Sequence, residues 1–213
     1  MTQEERLRII DRSDYDPYAR MALVYMLLDT NKRATHVGLT IGTGPSARDS
    51  GTEAAREMVV GSFNAVRSLL DRLKLPYSIH AAPTEPENGL WSFSLHCVRN
   101  DEDLTRITEM EIDDEATHQE YGLMYGYPRT AAEAFSTPDA LNREEYLEWR
   151  RNNQDLSTFA GFRPSRAHLQ EEMEFIRRRR ALIRQKCPRL YAQLQGGTGP
   201  WLRYYALRLL GAA

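Results

Sequence analysis

Three stretches decide how this chain folds: Thr35–Gly42 (THVGLTIG), Tyr77–Ala81 (YSIHA) and Trp91–Val98 (WSFSLHCV). Each alternates polar and apolar residues with the period of two that a β-strand imposes, because successive side chains of a strand point to opposite faces. The apolar phase collects Val37, Leu39, Ile41, Tyr77, Ile79, Ala81, Trp91, Phe93, Leu95 and Cys97. The other phase collects His36, Thr40, Ser78, His80, Ser92, Ser94 and His96, with no Lys, Arg, Asp or Glu among them. A sheet face left to water usually carries long charged side chains, which stay hydrated and discourage edge pairing. A neutral, hydroxyl-rich face is therefore expected to meet something other than bulk water. These seven residues form the candidate ligand-binding or partner-binding surface.

Between the first two stretches, Val59, Phe63, Val66, Leu70 and Leu73 step by four and three, the spacing of an amphipathic helix laid on a sheet. Thr52 is the expected cap of that helix and Leu75-Pro76 its end. The prolines, Asn and Gly of residues 82–89 are turn chemistry, so the last two strands read as an antiparallel hairpin. Residues 34–98 thus read as β-α-β-β.

Flanking helices follow from their start signals. Thr2 with Glu5 has capping-box spacing, and Asp16 before Pro17 opens a second helix running to about Asp29, whose apolar residues need cover. Asn100 caps a helix through Met110. Beyond it, Asp113 is the expected cap of a helix stopping at Gly126, and Thr130 with Glu133 and Asn142 with Glu145 are two further capping boxes. Ser165 after Pro164 is expected to open the longest helix, closed by Pro188. Gly196-Gly197-Thr198-Gly199 reads as a joint before an apolar terminal helix at residues 200–210. The expected fold is α+β: residues 1–110 hold a three-stranded core with flanking helices, and residues 111–213 a helical region packed on it. A short apolar helix on a glycine joint is expected to dock on its own core or on a second copy, which makes a homo-oligomer the expected state.

The 213 residues carry a formal net charge of −2, which argues against a broadly basic nucleic-acid surface and against an acidic disordered tail. No secretory signal pattern is read, and the apolar runs fall short of the ~20 residues that span a bilayer. A cytoplasmic protein with no membrane partner is expected. Two cysteines, Cys97 and Cys187, make neither a disulfide framework nor a four-cysteine zinc site. Cys97 lies on the apolar phase, where a buried inert thiol is the ordinary reading.

Several groups of residues carry candidate chemistry. His36, His80 and His96 are of the type that binds zinc, but register decides whether they meet. With His80 opposite Ser92, His96 lies four residues further on, about 13 Å away at ~3.3 Å per residue, beyond the reach of one metal ion. No metal site is therefore assigned, and no cofactor or catalytic residue is named. Gly42-Thr43-Gly44 after a strand is a candidate backbone nest for an anion, with Arg33, Arg48 and Arg56 within reach. It has neither a Gly-Lys-Ser/Thr sequence nor the full dinucleotide fingerprint, so a plain turn is the simpler reading. Glu85 and Glu87 read as solvated loop carboxylates. The run Arg177-Arg178-Arg179-Arg180, extended by Arg184, Lys186 and Arg189, is a candidate phosphate contact. Four consecutive residues point round the whole helix, and Glu171, Glu172 and Glu174 sit one turn earlier, which favours solvated or paired arginines over nucleic acid. The acidic residues between Asp101 and Glu120 are a candidate internal partner for these arginines.

Gly126-Tyr127-Pro128, followed by Ala131-Ala132-Glu133-Ala134-Phe135, resembles over about ten residues a family of uncharacterised archaeal proteins with Gly-Tyr-Pro before a cysteine pair and a nearby Phe. This chain has alanine and threonine where that family has cysteines, so any thiol or metal role of the pair is absent here. The resemblance implies no reaction. Physically, the segment reads as a helix stop, a turn and a new helix, with Tyr127 and Phe135 as packing anchors.

The function expected from these features is that of a cytoplasmic binding or regulatory protein, whose neutral sheet face receives a small molecule or a protein partner. Two rivals are an enzyme that uses a histidine or a metal on an anionic or phosphorylated substrate, and a nucleic-acid binder acting through Arg177–Arg180.

Overall fold

A computed structural model describes residues 1–42, 50–83, 90–112 and 116–195. The expected nest residues Gly44 and Arg48, the loop carboxylates Glu85 and Glu87, the Asp113 cap and the terminal helix 200–210 lie outside the described residues. The fold is α+β, with a three-stranded antiparallel sheet and ten helices among the described residues. None of these helices is long and apolar enough to cross a membrane.

The chain divides into two compact units: residues 33–114 form one, while residues 1–32 and 115–213 cluster into the other. The N-terminal helices, grouped with the sheet in the sequence reading, thus belong to the second cluster.

The sheet unit contains β1 (Ala34–Gly42), α3 (Ser50–Leu73), β2 (Tyr77–Ala81), β3 (Leu90–Val98) and α4 (Asp101–Ile112). Strand order is β1-β3-β2, so β3 is central and pairs antiparallel with both neighbours. The helix stripe behaves as its spacing requires: Val59, Phe63, Val66, Leu70 and Leu73 are all buried, and Phe63 meets Phe93 edge-to-face at 5.4 Å between ring centroids. Such a ring pair adds ~1 kcal/mol to the apolar burial. Val37, Leu39, Trp91, Phe93, Leu95 and Cys97 of the strands are buried as well. Helix α3 begins at Ser50, which places Thr52 inside its first turn rather than at the cap. It ends at Leu73, and the φ of 51° at the following Lys74 lets the Leu75 amide donate back to the Leu70 carbonyl at 3.1 Å. At the other end of the unit, the Asn100 side chain caps α4 by accepting from the Asp103 amide at 2.8 Å.

The helical unit contains α1 (Gln3–Arg12), α2 (Pro17–Leu28), α5 (His118–Met124), α6 (Arg129–Ala134), α7 (Arg143–Asn152), α8 (Gln154–Ser157), α9 (Leu169–Lys186) and α10 (Pro188–Gln195). Both signals of the first 17 residues are realised: Thr2 and Glu5 form the capping box, and the Asp16 carboxylate accepts from the Ala19 amide. The apolar surface of α2 is covered inside this unit by α1, α9 and α10. Asn142 and Glu145 form their box on α7.

Three expected helix starts in this unit are different. The helix that stops before Gly126, α5, is capped by Thr117 with Glu120 in a capping box, not by Asp113. Helix α6 begins at Arg129 after Pro128, so Thr130 lies within it, and the Thr130 hydroxyl donates instead to Glu172 at 2.7 Å. Glu133 is taken by Arg129. Ser165 does not open α9, which starts at Leu169, and the longest helix is α3 with 24 residues. The backbone amide and hydroxyl of Ser165 donate to the buried carboxylate of Glu172, at 2.8 and 3.0 Å. A buried carboxylate is costly unless hydrogen-bonded, and three donors here meet that need. Glu172 therefore ties α6, the segment before α9 and α9 itself together.

The Gly126-Tyr127-Pro128 segment has a similar role. Gly126 adopts φ of 68°, and a Cβ there would lie 2.5–3.0 Å from Lys32 side-chain and backbone atoms. Its carbonyl accepts from the buried Arg179 guanidinium at 2.7 Å. Tyr127 packs on Phe162 as an anchor, whereas Phe135 is exposed and meets His118 and Arg163 at the surface.

Replacing Gly126 by Ala adds the left-handed backbone penalty to a collision with the Lys32 backbone, and we expect a stability loss of about 3 kcal/mol. Urea unfolding of the helical unit measures it; an unchanged midpoint would show that this turn has slack that the structure does not contain.

Candidate functional site

The site is built by strand register. His36 on β1 lies directly opposite His96 on β3, and Ser78 on β2 flanks His96 from the other side. Gly38 faces Ser94 and Thr40 faces Ser92 on the same phase. The economical hairpin with His80 opposite Ser92 is not what forms. Pairing of Ser78 with His96 shifts β2, and an irregularity between Ile79 and Ala81 sets Ala81, not His80, opposite Ser94. A β-bulge of this kind adds one residue on one strand and re-aims its side chains. It takes Ala81 out of the apolar phase; Ile79, still paired with Leu95, is exposed on this edge strand. The polar residue it displaces, His80, comes against His96.

The three imidazoles therefore converge, one from each strand. His36 and His96 are 5.3 Å apart between ring centroids at an interplanar angle of 63°, and His80 stacks on His96 at 5.7 Å and 17°. His96 is buried, while His36 and His80 are exposed. The His36 ring is fixed by a 2.7 Å hydrogen bond between its Nε2 and the Ser94 hydroxyl. Room for this ring depends on Gly38, where a Cβ would come within 3.1 Å of the imidazole and 2.8 Å of the Phe93 carbonyl oxygen. Ser78, Ser92 and Ser94 are half-buried; the Thr40 side chain lies outside what is described.

One residue absent from the sequence reading completes the group. Helix α4 packs against β2 and β3, and from it Glu111 brings Oε1 against Nδ1 of His96 and within 3.6 Å of Nδ1 of His80. The face is thus neutral along its strands but receives one carboxylate from a helix. The signal for it was present: Asp103, Ile107 and Glu111 are spaced by four, and Asp103 and Ile107 are buried on the face α4 turns inward.

Burial followed by repulsion from His80 holds the His96 imidazole down to about 4. Burial also lowers His36, with His96 and His80 adding to the effect and Glu111 opposing it. Burial raises Glu111, against the pull of His80 and His36. All three shifts favour uncharged forms, as expected where several like-charged groups share a partly dry site. A neutral imidazole offers one donor and one acceptor, so the face presents mixed hydrogen-bonding groups at neutral pH. Among the described residues, no group of three or more His, Cys, Asp and Glu has an arrangement that holds a metal ion. The nearly parallel His80 and His96 rings instead turn both Nδ1 atoms toward the same carboxylate oxygen.

The other sequence candidates are engaged elsewhere. Arg33 pairs with Asp103 and Glu102, and Arg56 with Glu53. Gly42 ends β1. Both cysteines are free and buried, and burial pushes the Cys187 thiol up to about 12. Comparison with known proteins adds no assignment: no family model, no curated protein and no solved structure matches the chain.

The histidine shifts have a stability consequence. As pH falls from 7 toward 4.5, an unfolded histidine near 6.5 takes up a proton that folded His96 does not, so stability present above about 6.5 is progressively lost. Glu111 works in the opposite direction, because the cost of its buried charge is relieved on protonation. We expect the sheet unit to lose about 2 kcal/mol over this interval and His96→Asn to flatten the loss. Hydrogen-exchange protection of peptides covering residues 90–98 checks this; equal pH slopes for both proteins would rule it out.

Proposed function

We propose that the protein is a binding or regulatory module whose ligand or partner engages the imidazole-and-hydroxyl face formed by His36, Thr40, Ser78, His80, Ser92, Ser94 and His96, with Glu111 as its acidic counterpart. The observation that carries this reading is the convergence of three imidazoles from three strands, two of them exposed. A purely structural polar layer would bury its members and pair them internally. Here the centre, His96, is sheltered and the flanking rings remain open to a second molecule. A small molecule with both donors and acceptors, or a polar protein surface, suits that mixture. A cytoplasmic setting agrees with the two free thiols, and self-association is part of the proposal, supported by exposed Ile79 and Ile112 in the sheet unit.

A second reading is acid–base catalysis. It is favoured by one feature: a neutral imidazole and a carboxyl group in contact, with ionisations displaced toward each other, an arrangement that tunes proton transfer. In that case His96 and Glu111 exchange the proton and His80 meets the substrate.

The binding reading is tested by thermal-shift titration of the wild type and a His36→Ala/His80→Ala variant against small carboxylic acids, phosphate esters and polyols. Both replaced rings are exposed, so the variant should fold with a midpoint close to wild type. We expect at least one compound to stabilise the wild type and to bind the variant about tenfold more weakly, a difference of ~1.4 kcal/mol. Equal responses of the two proteins would remove the face from the binding event. Turnover of a phosphate or carboxylate ester that His96→Gln abolishes would favour catalysis instead.

A further inference from the structure

The arginine run in α9 divides into separate roles. Arg179 turns inward: it is buried, donates to the carbonyls of Gly126 and Ala160, pairs with Asp29 at 3.5 Å, and lies between the rings of Tyr25 and Phe175 at 4.6 and 4.4 Å. Arg178 points to solvent beside Phe175. Neither contributes to a common basic surface. Arg177, Arg180 and Arg184, spaced by three and four, share one helical stripe instead. Together with Ala181, Gln185 and Tyr191 of α10 they line an open cavity of about 470 Å³.

Three features of this cavity point to an anion. First, its guanidinia outnumber the carboxylates they meet. Arg177 pairs with Glu174 one turn away and Arg180 with Asp155, whereas Arg184 makes no ion pair among the described residues. Glu174 and Arg177 are both exposed, and exposed pairs contribute only ~0–1 kcal/mol, so a phosphate dianion displaces such a partner at little cost. Second, the central guanidinium is held in place before any ligand arrives. Nε of Arg180 donates to the Tyr191 hydroxyl at 3.2 Å and Nη1 to Asp155 at 2.7 Å. A pre-positioned planar fork is the geometry that binds phosphate oxygens in pairs. Third, the site is concave, and its size falls in the range of about 300–1,000 Å³ typical of small-molecule pockets. An extended nucleic acid needs a continuous basic track, which the withdrawal of Arg179 and the divergence of Arg178 interrupt.

We propose that the groove between α9 and α10 binds a small soluble molecule carrying a phosphate or diphosphate group, held by Arg177, Arg180 and Arg184. This inference is independent of the histidine-bearing sheet face.

Isothermal titration of the full chain with inorganic pyrophosphate at low ionic strength tests it, with ADP as a second probe and a single-stranded oligonucleotide as a third. We expect saturable one-to-one pyrophosphate binding that Arg184→Gln and Arg177→Gln each weaken about tenfold, while Arg178→Gln and the His36→Ala/His80→Ala variant bind like wild type. Circular dichroism shows whether the exposed variants remain folded. Absence of pyrophosphate binding overturns the proposal. So does an Arg178→Gln loss equal to that of Arg184→Gln, which would mean general charge attraction. Oligonucleotide binding that is tighter than pyrophosphate binding and depends on Arg178 would assign the helix to nucleic acid instead.

Discussion

The pairing of β3 with both neighbours is the constraint on which the sheet unit depends. Because side chains alternate along a strand, a slip of one residue would exchange its two faces, turning Phe93 and Leu95 away from α3 and Ser94 and His96 toward it. Apolar contact with α3 fixes the register from one side. On the other side the same register sets His36 across from His96, and the bulge in β2 swings His80 against it. The core therefore determines where the imidazoles meet, and no separate device is needed to assemble them. Among the described residues, Glu111 then supplies the carboxylate that faces the cluster.

The helical unit uses buried charge in a different way. Arg179, Arg20 and Glu172 are buried, and each hydrogen-bonds outside its own helix: Arg179 donates to the Gly126 carbonyl, Arg20 to the Ser13 carbonyl, and Glu172 accepts from the Ser165 amide. Removing one partner of such a group leaves an unsatisfied charge in a dry place, which costs more than the bond itself contributes. These residues therefore act as specific ties between the helices of this unit and the turns that connect them. The positive φ of Gly126 belongs to the same arrangement, since it brings that carbonyl to the Arg179 guanidinium. Arg180, the next residue, is turned about 100° round the helix and is directed to the α9–α10 groove.

Much of this was legible in the sequence because it is local. The period-two strands, the α3 stripe, the Thr2, Asp16, Asn100 and Asn142 caps and the burial of Cys97 follow from near neighbours alone. What was not legible depends on partners distant in sequence. Ser165 and Thr130 look like caps, but a carboxylate on another turn, Glu172, takes their hydroxyls. The hairpin register hides behind a bulge, because the pattern YSIHA is compatible with either pairing and only contact with α4 and β3 distinguishes them. Glu111 is hidden in the sequence because the acidic residues between Asp101 and Glu120 read as partners for the arginine run, and only the sheet beneath α4 reveals that this carboxylate meets His96 and His80.

The central claim is that three imidazoles and one carboxylate form a single electrostatic group. Long-range nitrogen–proton NMR of the histidine rings across pH tests it most directly. In such a group His96 stays neutral at pH 5.5, titrates near 4, and moves upward when His80 is replaced by Ala. A His96 that titrates near 6.5 and ignores the loss of His80 would show rings that are neither sheltered nor coupled, and no such group would exist.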